Sequence, residues 1–127
     1  MTLKSVLRGV LALGMIYAGV NHFTHPEPFM KIVPDSLPAH RAIVFVSGFF
    51  EIAGGFGLFV PRLRRAAAWG LVLLLIAVFP ANVYMATHHI YFEGIHDQWL
   101  LWLRLPLQAV LIAWAWWQTR PDRSQGT

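Results

Sequence analysis

Cysteine is absent from the 127 residues, which excludes disulfides, thiolate metal sites and cysteine redox chemistry within the chain. Charge is also scarce. Asp, Glu, Lys and Arg make up 13% of residues, against about a quarter in an ordinary soluble domain. There are six acidic residues, and five of them lie outside apolar stretches. The strict alternation of apolar and polar residues that marks membrane β-strands is missing. So are internal repeats, low-complexity segments and any flavin or nucleotide motif.

What is there in quantity is apolar surface, at 57% of residues. Long apolar runs cover 42–60, 66–86 and 99–117. A shorter one, 9–23, extends back to Leu3 past Arg8 and Lys4, whose long side chains can snorkel to an interface. Each run approaches the ~20 residues a helix needs to cross the hydrocarbon core. The expected fold is all-α: a transmembrane four-helix bundle in one domain, residues 1–118, with spans at about 3–23, 42–60, 66–86 and 99–117. Residues 119–127 read as a flexible cytoplasmic tail. Lys4 and Arg8 resemble the start of a secretory signal. No small-x-small cleavage site precedes Asn21-His22-Phe23, so the first run is read as a retained helix.

The net charge of +4 does not point to nucleic acid, because topology accounts for it. Seven basic residues (Lys4, Arg8, Arg62, Arg64, Arg65, Arg120 and Arg123) fall on one side of a four-span arrangement, and Lys31 and Arg41 on the other. The positive-inside rule then puts both termini in the cytoplasm of a cell, most simply at a bacterial inner membrane.

The first outer connection, residues 24–40, holds four prolines among the apolar Phe29, Met30, Ile32, Val33 and Leu37. Proline prevents one continuous helix but allows short turns of helix. The segment is expected to fold back and cap the bundle as a lid. The second, residues 88–97, holds three histidines and two acids in no defined metal-ligand pattern, and is read as a solvated interfacial loop rather than a metal site.

The sixth acid, Glu51, sits in the middle of the second span. A carboxyl there persists only if something pairs with it, protonates it or uses it. Ser47, Glu51, Gly54 and Gly55 share a face of that helix, and Gly14, Ala18 and His22 share one on the first. Pro80 in the third span frees the carbonyl of Ile76, with Asn82 close by. Arg104 and Gln108 are one turn apart in the fourth, around Pro106. Every span thus supplies a polar group to the outer half, while the inner halves are almost purely apolar. Arg104 is the expected counter-ion of Glu51, since its fork matches a carboxylate. His22, Asn82, Tyr84 and Gln108 would complete the hydrogen bonding. This layer reads as the head end of a ligand pocket.

Five segments resemble the DoxX-like family of small four-helix membrane proteins: Gly19-Val-Asn-His22-Phe, Ile32-Val-Pro-Asp-Ser-Leu-Pro38, Ser47-Gly-Phe-Phe-Glu51-Ile-Ala-Gly-Gly-Phe-Gly-Leu58, Phe79-Pro-Ala-Asn82-Val-Tyr-Met85 and Arg104-Leu-Pro-Leu-Gln108. They span nearly the whole chain in order. The resemblance implies a quinone or quinone-like lipid as ligand, His22, Glu51, Asn82 and Arg104 as the corresponding positions, and association with a membrane redox or oxidative-stress complex. With no redox motif of its own, the chain would depend on a bound molecule or partner for electron transfer. Other functions compatible with the same residues are a structural or assembly subunit, alone or as a homo-oligomer, a small transporter, and an enzyme using His22 and Glu51 as acid and base. The apolar inner half speaks against a transport path.

Overall fold

The computed structural model describes residues 2–31, 33, 36–88 and 98–121. Among these residues five helices follow one another: α1 (Leu3–Thr24), α2 (Pro26–Lys31), α3 (His40–Phe59), α4 (Arg64–Thr87) and α5 (Gln98–Gln118). Four of them are long and apolar enough to cross a membrane. Their 20 to 24 residues correspond to about 30–36 Å at the helical rise. Side chains turned outward are largely apolar, including Leu13, Tyr17, Phe49 and Leu73, at 59–73% exposure. Water would make that surface aggregate, whereas a bilayer solvates it.

Local chemistry starts and ends the helices. Thr2 and Ser5 form a reciprocal capping box on α1, with Ser5 N donating to Thr2 Oγ1 at 3.1 Å and Thr2 N to Ser5 Oγ at 3.0 Å. α2 begins at Pro26, a favoured first helical residue because its missing N–H would have no partner there. It is the short turn of helix that the proline-rich connection allows. At the end of α3, Arg64 Nε donates to the Leu58 carbonyl at 3.0 Å.

The four long helices alternate in direction. Gly19 of α1 lies against Gly48 of α3, and Gly55 of α3 against Ala12. Gly54 and Gly57 face Leu71 and Ala67 of α4. The closest approach is between α1 and α3: a Cβ on Gly19 would stand 2.6 Å from the Gly48 carbonyl oxygen. The small residues that matter on α1 are thus Ala12 and Gly19, not Gly14, which has open space beside it. Gly14 is offset by about two residues, enough to turn it away at 100° per residue.

α1 packs chiefly on α3, α3 on α4 and α4 on α5, while α1 meets α5 little. The apolar core lies towards the Lys4 end of the bundle and includes Leu11, Ala12, Leu58, Leu71 and Ala115. At that end α1 and α5 are tied by polar contacts. Arg8 Nε donates to Gln118 Oε1 at 2.9 Å, Gln118 Nε2 to the Lys4 carbonyl at 3.2 Å, and Lys4 Nζ to the Arg120 carbonyl at 2.7 Å. Arg8 does not snorkel; it is 5% exposed. Thr119, expected to open a flexible tail, is buried and α5 runs directly into it, while residues 122–127 lie outside the described residues.

Candidate functional site

At the opposite, His22 end, the helices separate around a cavity of about 330 Å³. All four long helices and α2 contribute to its wall. Of the expected site residues, His22, Glu51, Asn82, Arg104 and Gln108 line it. Tyr84 does not: it points to the helix end and stacks on His88, with ring centroids 4.0 Å apart. Two positions separate it from Asn82, which turns it to another face of α4.

His22 is placed by the α1–α3 contact. With Gly19 against Gly48, the next turn of α1 lays the His22 side chain over Gly48, whose lack of a Cβ makes the room. Its Nδ1 is 2.6 Å from the Ala18 carbonyl oxygen. A carbonyl only accepts, so Nδ1 carries a proton and Nε2 is the acceptor of the neutral ring. Phe29 of α2 stacks on the imidazole at 4.1 Å between centroids.

Glu51 is 6% exposed. The side-chain contact shown for it is with His22, Nδ1 to Oε2 at 3.2 Å, rather than the expected pair with Arg104. Arg104 enters the same cavity from α5. The α1–α3 contact is a close one, and it brings the imidazole to the carboxyl. Although Nδ1 is near, Oε2 accepts no hydrogen bond of proper geometry among the described residues. Ser47 Oγ, one turn away on the same helix face, is likewise buried and without one. Ser47 lines the cavity and belongs to the site, although the sequence reading did not count it among the ligand groups. The available signal was its i, i+4 spacing from Glu51.

Gln108 has a structural contact. Its Nε2 donates to the Leu75 carbonyl at 2.8 Å, linking α5 to α4 beside the Pro80 break. The carbonyl that proline frees by count is Ile76, one residue further on, so the side chain takes the adjacent carbonyl instead. Gln108→Leu is expected to lower stability by ~1 kcal/mol through loss of this buried bond. Thermal unfolding in detergent checks it; an unchanged midpoint would mean the bond is dispensable.

The rest of the wall is apolar, including Met15, Val44, Leu75, Val78 and Leu111. Phe29, Val33 and Leu37 of the first connection close one side of it. Among the described residues no group of three or more His, Asp or Glu could hold a metal ion. Of the histidine-bearing connection 88–97, only His88 falls within the described residues.

A family model described as Domain of unknown function (DUF8561) matches residues 11–119. The chain belongs to this family. No curated protein and no solved structure matches it. The matched stretch of this DUF8561 member contains every residue of the cavity wall and begins beyond Lys4 and Arg8.

Proposed function

We propose that this DUF8561 member is an integral membrane protein that binds a quinone-like or other amphipathic small molecule. The carrying observation is the 330 Å³ cavity, apolar over most of its wall, with His22, Ser47, Glu51, Asn82, Arg104 and Gln108 at one end of the bundle. Concave, mostly apolar pockets with a few convergent polar groups are the usual form of small-molecule sites, and this volume lies at the small end of their range of roughly 300–1,000 Å³. It suits a head group or single ring, with a tail that extends beyond the cavity into lipid. The proline-rich connection acts as the lid, with Phe29, Val33 and Leu37 over the ligand. On this reading the pocket lies in the outer half of a bacterial inner membrane, with both termini cytoplasmic.

The likeness of the five sequence segments to the DoxX-like family supports placing the protein in a membrane redox or stress-response complex. Within it the chain would bind and orient a quinone-like lipid and leave electron transfer to a partner. His22 and Glu51, 3.2 Å apart, can hold and pass a proton at the head group. The second reading, a structural or assembly subunit, is favoured by one observation: Gln108 already serves the Leu75 carbonyl and so helps to hold the bundle.

The test is gentle purification followed by native mass spectrometry and lipid extraction. A co-purifying amphiphile is expected, and a short-tailed quinone or its hydroquinone should raise the thermal midpoint and slow trypsin at Lys31 and Arg41. A protein that carries no amphiphile and gains neither stability nor protection from either form would sink the proposal.

A further inference from the structure

The chemistry of the occupant's head can be read from the polar atoms on the cavity wall, provided that the cavity is the ligand site proposed above. On the α3 side, Ser47 Oγ and Glu51 Oε2 are buried and accept no hydrogen bond among the described residues. Glu51 is more than nine-tenths buried and lines the cavity. His22 does not relieve it. A ring nitrogen holds one proton, and that of Nδ1 goes to the Ala18 carbonyl at 2.6 Å, closer than Oε2 at 3.2 Å. Across the cavity, Asn82 and Gln108 are 7% and 6% exposed, and Gln108 is held in place by its bond to Leu75.

A ligand that satisfies the two stranded oxygens is favoured over one that covers them without a bond. Head groups differ in whether they can. A carbonyl or ether oxygen only accepts, so it serves the Ser47 hydroxyl but not an ionised Glu51. A carboxylate head would set a second negative charge beside Glu51 in a medium of low dielectric, and only a seat at Arg104, on the same wall, would offset it. A hydroxyl both donates and accepts. It can donate to Oε2 while accepting from Ser47; its advantage over an ether or carbonyl belongs to the ionised carboxyl, since a protonated one donates to any of these oxygens. The amides of Asn82 and Gln108 remain for a second oxygen on the far side of the head.

We propose that the cavity selects amphiphiles whose head carries a hydroxyl, as phenols and hydroquinones do, and seats that hydroxyl between Ser47 Oγ and Glu51 Oε2. Amphiphiles with only carbonyl, ether or carboxylate oxygens bind more weakly.

The test uses the whole purified protein in mild detergent and three probes with the same alkyl tail: para-nonylphenol, its O-methyl ether and the corresponding benzoate. Affinity is read from the concentration that gives half-maximal thermal stabilisation. In buffer alkaline enough to ionise Glu51 but not the phenol, the phenol should bind roughly 10-fold or more tightly than the ether, which keeps the accepting oxygen and loses the donor. The benzoate tests the alternative seat at Arg104, and tighter binding of it than of the phenol overturns the inference. In Glu51→Gln the amide can donate to an ether oxygen, so the gap between phenol and ether should close. Equal affinity for phenol and ether in the unmodified protein overturns the inference and leaves the cavity as a ligand site. A gap that persists in Glu51→Gln overturns the seat assigned to the hydroxyl. Stabilisation by none of the three probes overturns both the inference and the ligand reading beneath it.

Discussion

Gly19→Ala is expected to destabilise the bundle by ~1–3 kcal/mol, the range for overpacking a filled interior. It should also weaken ligand binding. The new methyl would stand 2.6 Å from both the Gly48 carbonyl oxygen and the Ile52 side chain, and 3.1 Å from the Ile52 nitrogen. Backbone atoms cannot swing aside, so α1 and α3 must separate. Gly48→Ala meets the same seam from the other side, at 2.7 Å from His22 Cβ and 2.9 Å from the Gly19 carbonyl oxygen. Small residues at helix contacts in membranes work by allowing such close approach. Because His22 is seated by this contact, moving the helices apart also moves His22 relative to Glu51. Gly14→Ala and Gly70→Ala are the controls, with no atom within 4 Å of the added carbon. Both should be neutral or slightly stabilising, as alanine is the better helix former by about 1 kcal/mol. Thermal unfolding of the four variants in one detergent decides the matter. Equal midpoints would show that the α1–α3 contact is not the tight seam described.

Glu51→Leu is expected to have the opposite effect on stability and a larger one on binding. The two side chains are similar in size. The carboxyl is buried with Oε2 accepting no hydrogen bond among the described residues, and an unsatisfied buried polar atom costs about 1–3 kcal/mol. Replacing it with an apolar group should leave the thermal midpoint unchanged or raised. Ligand affinity should fall about 10- to 100-fold, the equivalent of a hydrogen bond to a charged group. Lost function with retained or increased stability is the pattern of a residue kept for its chemistry. If the carboxyl instead pins the bundle through His22, its removal should cost about 3–5 kcal/mol, as for breaking a buried ion pair. A fall of that size would favour the assembly-subunit reading.

These expectations depend unequally on sequence and structure. The four spans were legible because each is a long run with almost no charge, and length and composition alone decide whether a helix suits a bilayer. Helix bounds moved by only a few residues, as from the expected 42–60 to His40–Phe59. The polar layer was legible for the same reason: Glu51, Asn82, Arg104 and Gln108 are conspicuous against an apolar background. Its internal pairing was not. Sequence offers depth along each helix, but which side chain reaches which depends on helix rotation and spacing. The glycine seam between α1 and α3 joined Glu51 to His22, and the packing of α5 on α4 brought Gln108 to the Leu75 carbonyl. Arg8 and Gln118 were missed as a buried pair because they stand 110 positions apart, and each alone looks like an interfacial side chain.

The sequence by itself determined that the chain is a set of apolar helices with polar groups gathered towards one end, since burial of charge is costly wherever the helices pack. Only the tertiary structure decided that these groups surround a cavity, that Ser47 belongs with them and Tyr84 does not, and that Glu51 meets histidine first. Those outcomes turn on how closely the helices approach and how they are rotated, set in part by which residues lack a Cβ, and no pattern along a single helix encodes them.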